Sequence, residues 1–374
     1  MTAELNKLRL ARTSGVGPVL YRRLILRFGN AESAIAALPE ITRRAGRAVS
    51  PAIPSMRDAE REITQLEKLG GQLLFQDEPA YPAFMLLLED APSVISVLGN
   101  AGLLNKHSVA MVGSRNASAN GMNFAGKLAN ELAEAGYVVI SGLARGIDAA
   151  AHRGALKSGA TVACVAGGLD RPYPPENVAL QELIAMKGAV VAEAPLGTSP
   201  QARHFPRRNR LIAGLSLGVV VVEAALRSGS LITARIALEE GRELFSVPGS
   251  PLDLRCQGTN ALIRSGAHLT EGLADIVANL PDHPKREGLS RDPMFAAIAI
   301  PERAETPKIA LEARAPVLQS LLALMSPSPT SVDDLIRRCQ FSAPEVRAAL
   351  LDLELAGRVE TLPGSRVALL ARDY

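Results

Sequence analysis

The sequence predicts an α/β protein, with a doubly wound parallel sheet in the middle, a small all-helical module before it and a winged helix after it. Three observations carry this. Short apolar runs alternate with helix-sized stretches from about residue 94 to 247, the pattern of βα units joined by right-handed crossovers. Most of these runs end in glycine, a hydroxyl or arginine. The two ends of the chain lack the alternation.

Residues 1–70 read as helices at 5–12, 18–28, 30–37 and 56–69. Between the first two lies Ser14-Gly-Val-Gly-Pro18, a glycine hairpin followed by Arg22, Arg23 and Arg27. It is like a helix-hairpin-helix that holds a nucleic-acid phosphate, or it is a packing module without ligands. The packing reading is preferred. From Gly71 an irregular lead-in, punctuated by Tyr81-Pro82 and Ala91-Pro92, reaches the first candidate strand at 94–98. Further strands are expected at 108–112, 137–140, 161–166, 189–192, 218–222 and 243–247, with helices at 123–135, 149–157, 178–186 and 231–240. Residues 281–315 mix proline, charge and alanine, as a linker does. From 316 to 374 come a helix at 317–325, a second opened by the capping box Ser331-Val-Asp-Asp334, and a third from Ser342 to Gly357. A hairpin around Pro363-Gly364 closes the winged helix. Its third helix carries Glu345, Asp352 and Glu354 against Arg347 alone. A helix meant for the major groove is normally basic, so this module is expected to meet a protein, or nothing, more than DNA.

Composition narrows the function. The 374 residues carry a net charge of only +3, so a polyanion would have to be met by a local patch. Cys164, Cys256 and Cys339 form no C-x-x-C pair, which argues against zinc and disulfides and for a reducing compartment. The N-terminus has no apolar signal core, and no run reaches the roughly 18 apolar residues of a membrane span. A cytoplasmic protein is expected. Two motifs mislead. Gly121-Met-Asn-Phe-Ala-Gly-Lys-Leu128 lacks the Walker hydroxyl, and Gly214-Leu-Ser-Leu-Gly218 precedes its strand where a nucleophile elbow must follow one. No metal-ligand spacing is present and no cofactor is expected.

The binding signals lie where strands end. Tyr137-Val-Val-Ile140 passes through Ser141-Gly142 and Arg145-Gly146 into an alanine-rich helix that Asp148 can cap. A glycine loop entering a helix offers backbone N–H groups to an anion. Asp148 and His152, one turn apart, read as a cap and a packing residue in preference to an acid/base pair. Gly113-Ser-Arg115, Gly167-Gly168 and Ala225-Leu-Arg-Ser-Gly-Ser230 are expected on the same edge. Arg203-His-Phe-Pro-Arg-Arg-Asn-Arg210 places four arginines and one aromatic in eight residues, suited to gripping phosphates and stacking a base. Glu193 and Glu223, at strand ends, are the plausible catalytic carboxylates for an alternative reading, a nucleotide N-glycoside hydrolase.

Here the chain resembles the DNA-processing protein family DprA/Smf. The resemblance rests on Val112-Gly-Ser-Arg115, Ser141-Gly-Leu-Ala-Arg-Gly-Ile-Asp148 with His152, Gly167-Gly-Leu-Asp-Arg-Pro-Tyr-Pro174 and Phe205-Pro-Arg-Arg-Asn-Arg210. It continues through Ser228-Gly-Ser-Leu-Ile-Thr233, Val247-Pro-Gly249, Gly258-Thr-Asn260 and Gly266-Ala267, in order over most of residues 81–270. It implies an extended Rossmann-like core at 71–280, a helical SAM/helix-hairpin-helix-like domain at 1–70 and a winged helix at 316–374. It also implies a non-enzymatic homodimer, paired through the Rossmann domain, that binds and shields single-stranded DNA and helps load the RecA recombinase in transformation. The implied pocket is lined by Arg115, Arg145, Phe205, Asn209 and Arg210. With the loop residues, the DNA-binding set becomes Gly113, Ser114, Arg115, Ser141, Gly142, Arg145, Gly146, Gly167, Gly168, Arg203, Phe205, Arg208, Asn209, Arg210, Ser228, Gly229 and Ser230. The chain departs at Ala202, where many members carry lysine; Arg203 is the neighbouring cation.

Overall fold

The computed structural model describes residues 2–44, 51–281, 315–326, 328–355, 358–362 and 366–370. The chain divides into two compact units, Glu60–Asp292 and a second made of Met1–Ala59 with Pro293–Tyr374. The 281–315 linker, the helix end at Gly357 and the hairpin turn at Pro363-Gly364 lie almost wholly outside the described residues.

The larger unit is one nine-stranded sheet. Its strands are β1 (Gly71–Phe75), β2 (Val94–Gly99), β3 (Ser108–Val112), β4 (Val138–Ser141), β5 (Thr161–Val165), β6 (Ala189–Ala192), β7 (Gly218–Val221), β8 (Glu243–Ser246) and β9 (His268–Leu269). They lie in the order β1-β2-β6-β5-β4-β3-β7-β8-β9. From β6 to β9 every neighbour is parallel. The edge departs from the all-parallel expectation, because β2 runs antiparallel to β6 and β1 antiparallel to β2. Antiparallel neighbours need no crossover helix, so the lead-in between them is a strand followed by an anchored connection. Tyr81 Oη donates to Pro92 O at 2.6 Å, fully buried, and Met85 and Leu88 sit in the core.

The helices of this unit after α4 (Met56–Lys68) are α5 (Ala119–Glu134), α6 (Ile147–Ala155), α7 (Val178–Lys187), α8 (His204–Gly214), α9 (Ser230–Glu239), α10 (Gln257–Arg264) and α11 (Leu273–Val277). Alternation along the central strands divides them between two faces. Ala110, Val112, Ile140 and Val219 pack with Leu211, Ile212, Ala234 and Ala237 of α8 and α9. Val109, Met111, Val139 and Val220 pack with Leu128 and Leu132 of α5 and Ala151 of α6. Helix α8 takes up most of the arginine-rich stretch 203–210, for which the sequence pattern predicts no helix. Pro206 occupies its first turn, where a missing N–H costs nothing, and Leu211, Ile212 and Ala213 anchor it in the core.

The second unit starts with α1 (Thr2–Arg12), α2 (Pro18–Phe28) and α3 (Ala31–Arg44), around Leu10, Leu20, Leu24 and Leu38. Its C-terminal part has α12 (Ala315–Leu324), α13 (Val332–Arg338) and α14 (Ala343–Leu355), with β10 (Thr330–Ser331), β11 (Val359–Leu362) and β12 (Arg366–Leu369) in the antiparallel order β10-β12-β11. This is the winged helix. Ser331 precedes α13 but makes no side-chain cap bond, contrary to the capping-box expectation. At α14, Glu345 Oε2 does accept from Ser342 N at 2.8 Å and Ser342 Oγ at 2.6 Å. No described helix is long and apolar enough to cross a membrane.

Replacing Tyr81 by phenylalanine strips the buried Pro92 carbonyl of its donor and should cost about 1–3 kcal/mol. Urea denaturation of the two proteins measures it.

Candidate nucleic-acid interface

The chain runs outward from β3 through β4, β5 and β6 on one side, then returns to place β7 and β8 on the other. The strand order therefore reverses between β3 and β7. Ligands of open α/β sheets bind at such a point, outside the carboxyl ends of the strands. Helices α6, α8 and α9 begin on this edge, and none receives a side-chain cap from its N-cap residue Gly146, Arg203 or Gly229. Loop acceptors take first-turn N–H groups instead, Ser114 O from Ile147, Gln201 O from His204 and Ser228 Oγ from Ser230, and each start still directs the positive end of its helix dipole to this edge.

Two buried charges shape the loop after β4. The carboxylate of Asp148 accepts from Gly142 N at 3.2 Å and Ala144 N at 3.3 Å, so it holds the loop and does not cap its own helix. Arg208 Nη1 donates to the carbonyls of Gly142 and, at 2.9 Å, Cys164. The backbone of Gly142 is thus gripped at its N–H by an acid and at its C=O by a base. A Cβ at this position would collide with both side chains, which is why the chain needs glycine here. Burial pushes the Asp148 carboxyl up and the Arg208 guanidinium down, and each charge draws the other back toward its ionised form. Asn177 Nδ2 holds the next carbonyls, Leu143 O at 2.8 Å and Ala144 O at 3.2 Å. Leu143 itself adopts φ 58°, a left-handed conformation that costs a non-glycine residue about 1 kcal/mol or more. Gly146, at φ 74°, then lies so close to Ser114 O that no Cβ would fit.

Around this frame the expected residues separate into two sets. Arg115, Arg145 and Arg203 are exposed, as is Arg207, and Gly113 and Ser114 are half-buried. Arg145 lies 3.7 Å from Glu176, an exposed pair that screening weakens. Phe205 is half-buried, with the Arg115 and Arg208 guanidinium carbons 5.2 and 5.6 Å from its ring centre. Tyr173 meets it edge-on at 6.0 Å. At 48 % exposure, Tyr173 is the one exposed Phe or Tyr ring among the described residues. Its signal in the sequence is an aromatic in a proline-rich loop directly beyond a strand, within Gly167-Gly-Leu-Asp-Arg-Pro-Tyr-Pro174.

The other set faces inward. Arg208, Asn209 and Arg210 are all buried. Arg208 Nε donates to Asn209 Oδ1 at 3.2 Å, and Arg210 pairs with Glu193 and with Asp90, each at 2.6 Å. Ser141 is buried and donates to Met111 O at 2.6 Å, which ties β4 to β3. Gly167 and Gly168 are buried beneath the 195–200 segment, whose atoms a Cβ on either would strike. The Ser228 and Ser230 hydroxyls bond to each other at 2.7 Å, beside exposed Gly229 and Arg227. Neither strand-end glutamate is a free carboxylate. Glu193 is held by Arg210 and, at 3.0 Å, by Arg207. Glu223 accepts from Ser118 N at 2.9 Å and Ser118 Oγ at 2.5 Å, so it joins the start of α5 to the end of β7 across the switch point.

Comparison with known proteins agrees with this layout. The family model for DNA recombination-mediator protein A matches residues 72–281. Those for the DprA-like N-terminal HHH domain and the DprA winged helix domain match 2–64 and 305–365. Protein Smf of Escherichia coli is 38 % identical over 84 % of this chain and 81 % of its own length. DNA processing protein DprA of Bacillus subtilis is 42 % identical over 54 % of this chain and 69 % of its own. The X-ray structure of DprA from Streptococcus pneumoniae superposes with a TM-score of 0.63 at 35 % identity, covering 76 % of this chain and 99 % of that one. A structure of DNA processing protein A from Helicobacter pylori, which concerns that protein's single-stranded DNA binding mode, gives a TM-score of 0.50 at 31 % identity, covering 56 % and 94 %.

Under the loop, His152 is fully buried with Nδ1 2.8 Å from Thr161 Oγ1, and burial lowers its pKa to about 3. The unfolded chain takes up a proton near pH 6.5 that the folded chain refuses. Stability is therefore full above pH 6.5 and falls as pH drops toward 3, by at most about 1.4 kcal/mol per pH unit. Between pH 6.5 and 5, wild type should lose stability that His152→Gln keeps, as denaturant midpoints at each pH would show.

Proposed function

The chain belongs to the DprA/Smf family, and from that premise we propose that its crevice binds single-stranded DNA, shields it and passes it to the RecA recombinase during transformation and recombination. The observation that carries the reading is the exposed arginine set, Arg115, Arg145, Arg203 and Arg207, near the starts of α6 and α8, with the exposed ring of Tyr173 edge-on to Phe205. Guanidinium forks suit phosphate oxygens, and rings suit the faces of unpaired bases whatever the sequence. Duplex DNA hides those faces in its own stack, so the rings favour a single strand. Phe205, edge-on to Tyr173 and flanked by guanidiniums, completes the platform. The protein would act in the cytoplasm as a homodimer paired through the Rossmann-like unit, as the family resemblance implies.

The role proposed is binding, not catalysis. A hydrolase reading needs Glu193 or Glu223 as a base, and each carboxylate is already engaged by partners of its own chain. Incubating the protein with mononucleotides should therefore release no free base.

Anisotropy of a labelled oligonucleotide tests the reading. Binding should weaken steeply with salt, resist duplex competitor, and lose about 0.7 from its log–log salt slope for each phosphate contact removed, as in Arg115→Ala. Tyr173→Ala should cost about 1–3 kcal/mol for each base it stacks. Affinity indifferent to both salt and Arg115→Ala would sink the proposal.

A further inference from the structure

Within the smaller unit, the arginines that follow the glycine hairpin do not face solvent alone. Arg23 Nη1 pairs with Glu354 Oε2 at 2.6 Å and reaches Thr361 Oγ1 at 3.5 Å. Arg27 Nη1 pairs with Asp352 Oδ1 at 2.7 Å. The acidic side of α14, conspicuous in the sequence because that helix should be basic in a DNA reader, lies against the basic side of α2. Four residues apart, Arg23 and Arg27 share one face of α2. Leu20, Tyr21 and Leu24, on the same helix, supply its apolar packing.

The contact is docked, not fused. The helical module has its own core, and the winged helix has another, around Val317, Leu321, Leu335, Val346 and Val367. The two clusters share no residue, and Leu351 is the one winged-helix side chain that joins the helical module's cluster. The rest of the described tie is polar, the two ion pairs with the Arg23–Thr361 hydrogen bond. Arg23 is the most open member of this contact, at 37 % side-chain exposure, so solvent and other anions reach its guanidinium. Glu354 shows the tension, since burial pushes its carboxyl up while Arg23 pulls it back.

We propose that Arg23 and Arg27 form a second binding site for the nucleic-acid phosphate backbone, and that Asp352 and Glu354 of the winged helix occupy it as a releasable cover. A carboxylate and a phosphate present similar pairs of oxygens to a guanidinium fork, so the acids stand where phosphates would. The site lies on a helix that opens from the hairpin at Gly17, whose residue supplies no side-chain cap. DNA at high local concentration, as on a strand already held by another part of the protein, would compete with the cover. An isolated phosphate would not.

The test keeps the full chain and uses an Arg115→Ala background, so that the crevice does not mask the result. Neutralising the cover with Asp352→Asn and Glu354→Gln should raise oligonucleotide affinity on the order of tenfold, because the competent fraction grows. It should also steepen the log–log salt slope by about 1.4, for two new phosphate contacts. Adding Arg23→Ala and Arg27→Ala should cancel both changes. A chain with Arg23→Glu and Glu354→Arg should keep the contact closed, and far-ultraviolet circular dichroism would confirm that every variant is folded. Unchanged affinity in the neutralised folded chain would overturn the proposal, as would a gain that survives loss of Arg23 and Arg27. Neither result bears on the crevice, which is read separately in the chain with its cover intact. If binding is indifferent to both salt and Arg115→Ala in the chain with its cover intact, the crevice reading fails and the same comparison is run in the unsubstituted chain.

Discussion

Gly142 is held from both sides, its N–H by the carboxylate of Asp148 and its carbonyl by the guanidinium of Arg208. Both charges are buried. Taking them out of water costs several kcal/mol each unless partners compensate, and here the partners are backbone dipoles of one loop together with the opposite charge. The arrangement fixes that loop. Leu143 is kept in a left-handed conformation, Asn177 holds the next two carbonyls, and Gly146 is drawn against Ser114. The start of α6 and the 113–115 segment are positioned together, and with them Arg145 and Arg115.

This gives the basic stretch at residues 203–210 two jobs that its composition conceals. Successive residues of a helix stand about 100° apart around its axis, so cations adjacent in sequence can have opposite fates. Arg203 and Arg207 stand in solvent at the start of α8. Arg208 and Arg210 turn inward, one to the β4 loop and the other to Glu193 and Asp90. The acids of the edge are consumed in this way, as Glu223 is by Ser118. Arg115, Arg203 and Arg207 stay exposed, beside the exposed Arg145–Glu176 pair. The small net charge of the chain and a strongly basic crevice are therefore compatible.

Most of the sheet could be read from the sequence because its central strands are buried on both faces and appear as uninterrupted apolar runs. The edge was harder. Gly71-Gln-Leu-Leu-Phe75 is short, opens on glycine and pairs antiparallel, so it lacks the strand-helix rhythm that marked its neighbours. Helix α8 was hidden by its own arginines, since a buried guanidinium satisfied by carbonyls has the same letter as a solvated one. The apolar run Leu211-Ile-Ala213 directly after Arg210 was the available sign. Residues of the exposed set, such as Arg115 and Arg145, could be picked out because glycine and arginine at a strand end suit an anion. Tyr173 lies within the Gly167–Pro174 stretch, but its exposure depends on how that loop is folded. The acidic third helix of the winged helix was legible as a poor DNA reader, whereas its packing against Arg23 and Arg27, over 300 residues away in sequence, was not.

Arg208 supports the β4 loop from beneath, its guanidinium taken up by the Gly142 and Cys164 carbonyls. The most direct measurement compares Arg208→Met with Arg115→Ala for both denaturant stability and oligonucleotide affinity. Removing Arg208 leaves Asp148 as a buried unpaired charge, so about 3–5 kcal/mol of stability should go and affinity should fall with it. Arg115→Ala should lose affinity at unchanged stability. If Arg208→Met kept full stability and lost only affinity, Arg208 would be a direct DNA contact and the account of the buried clamp would be wrong.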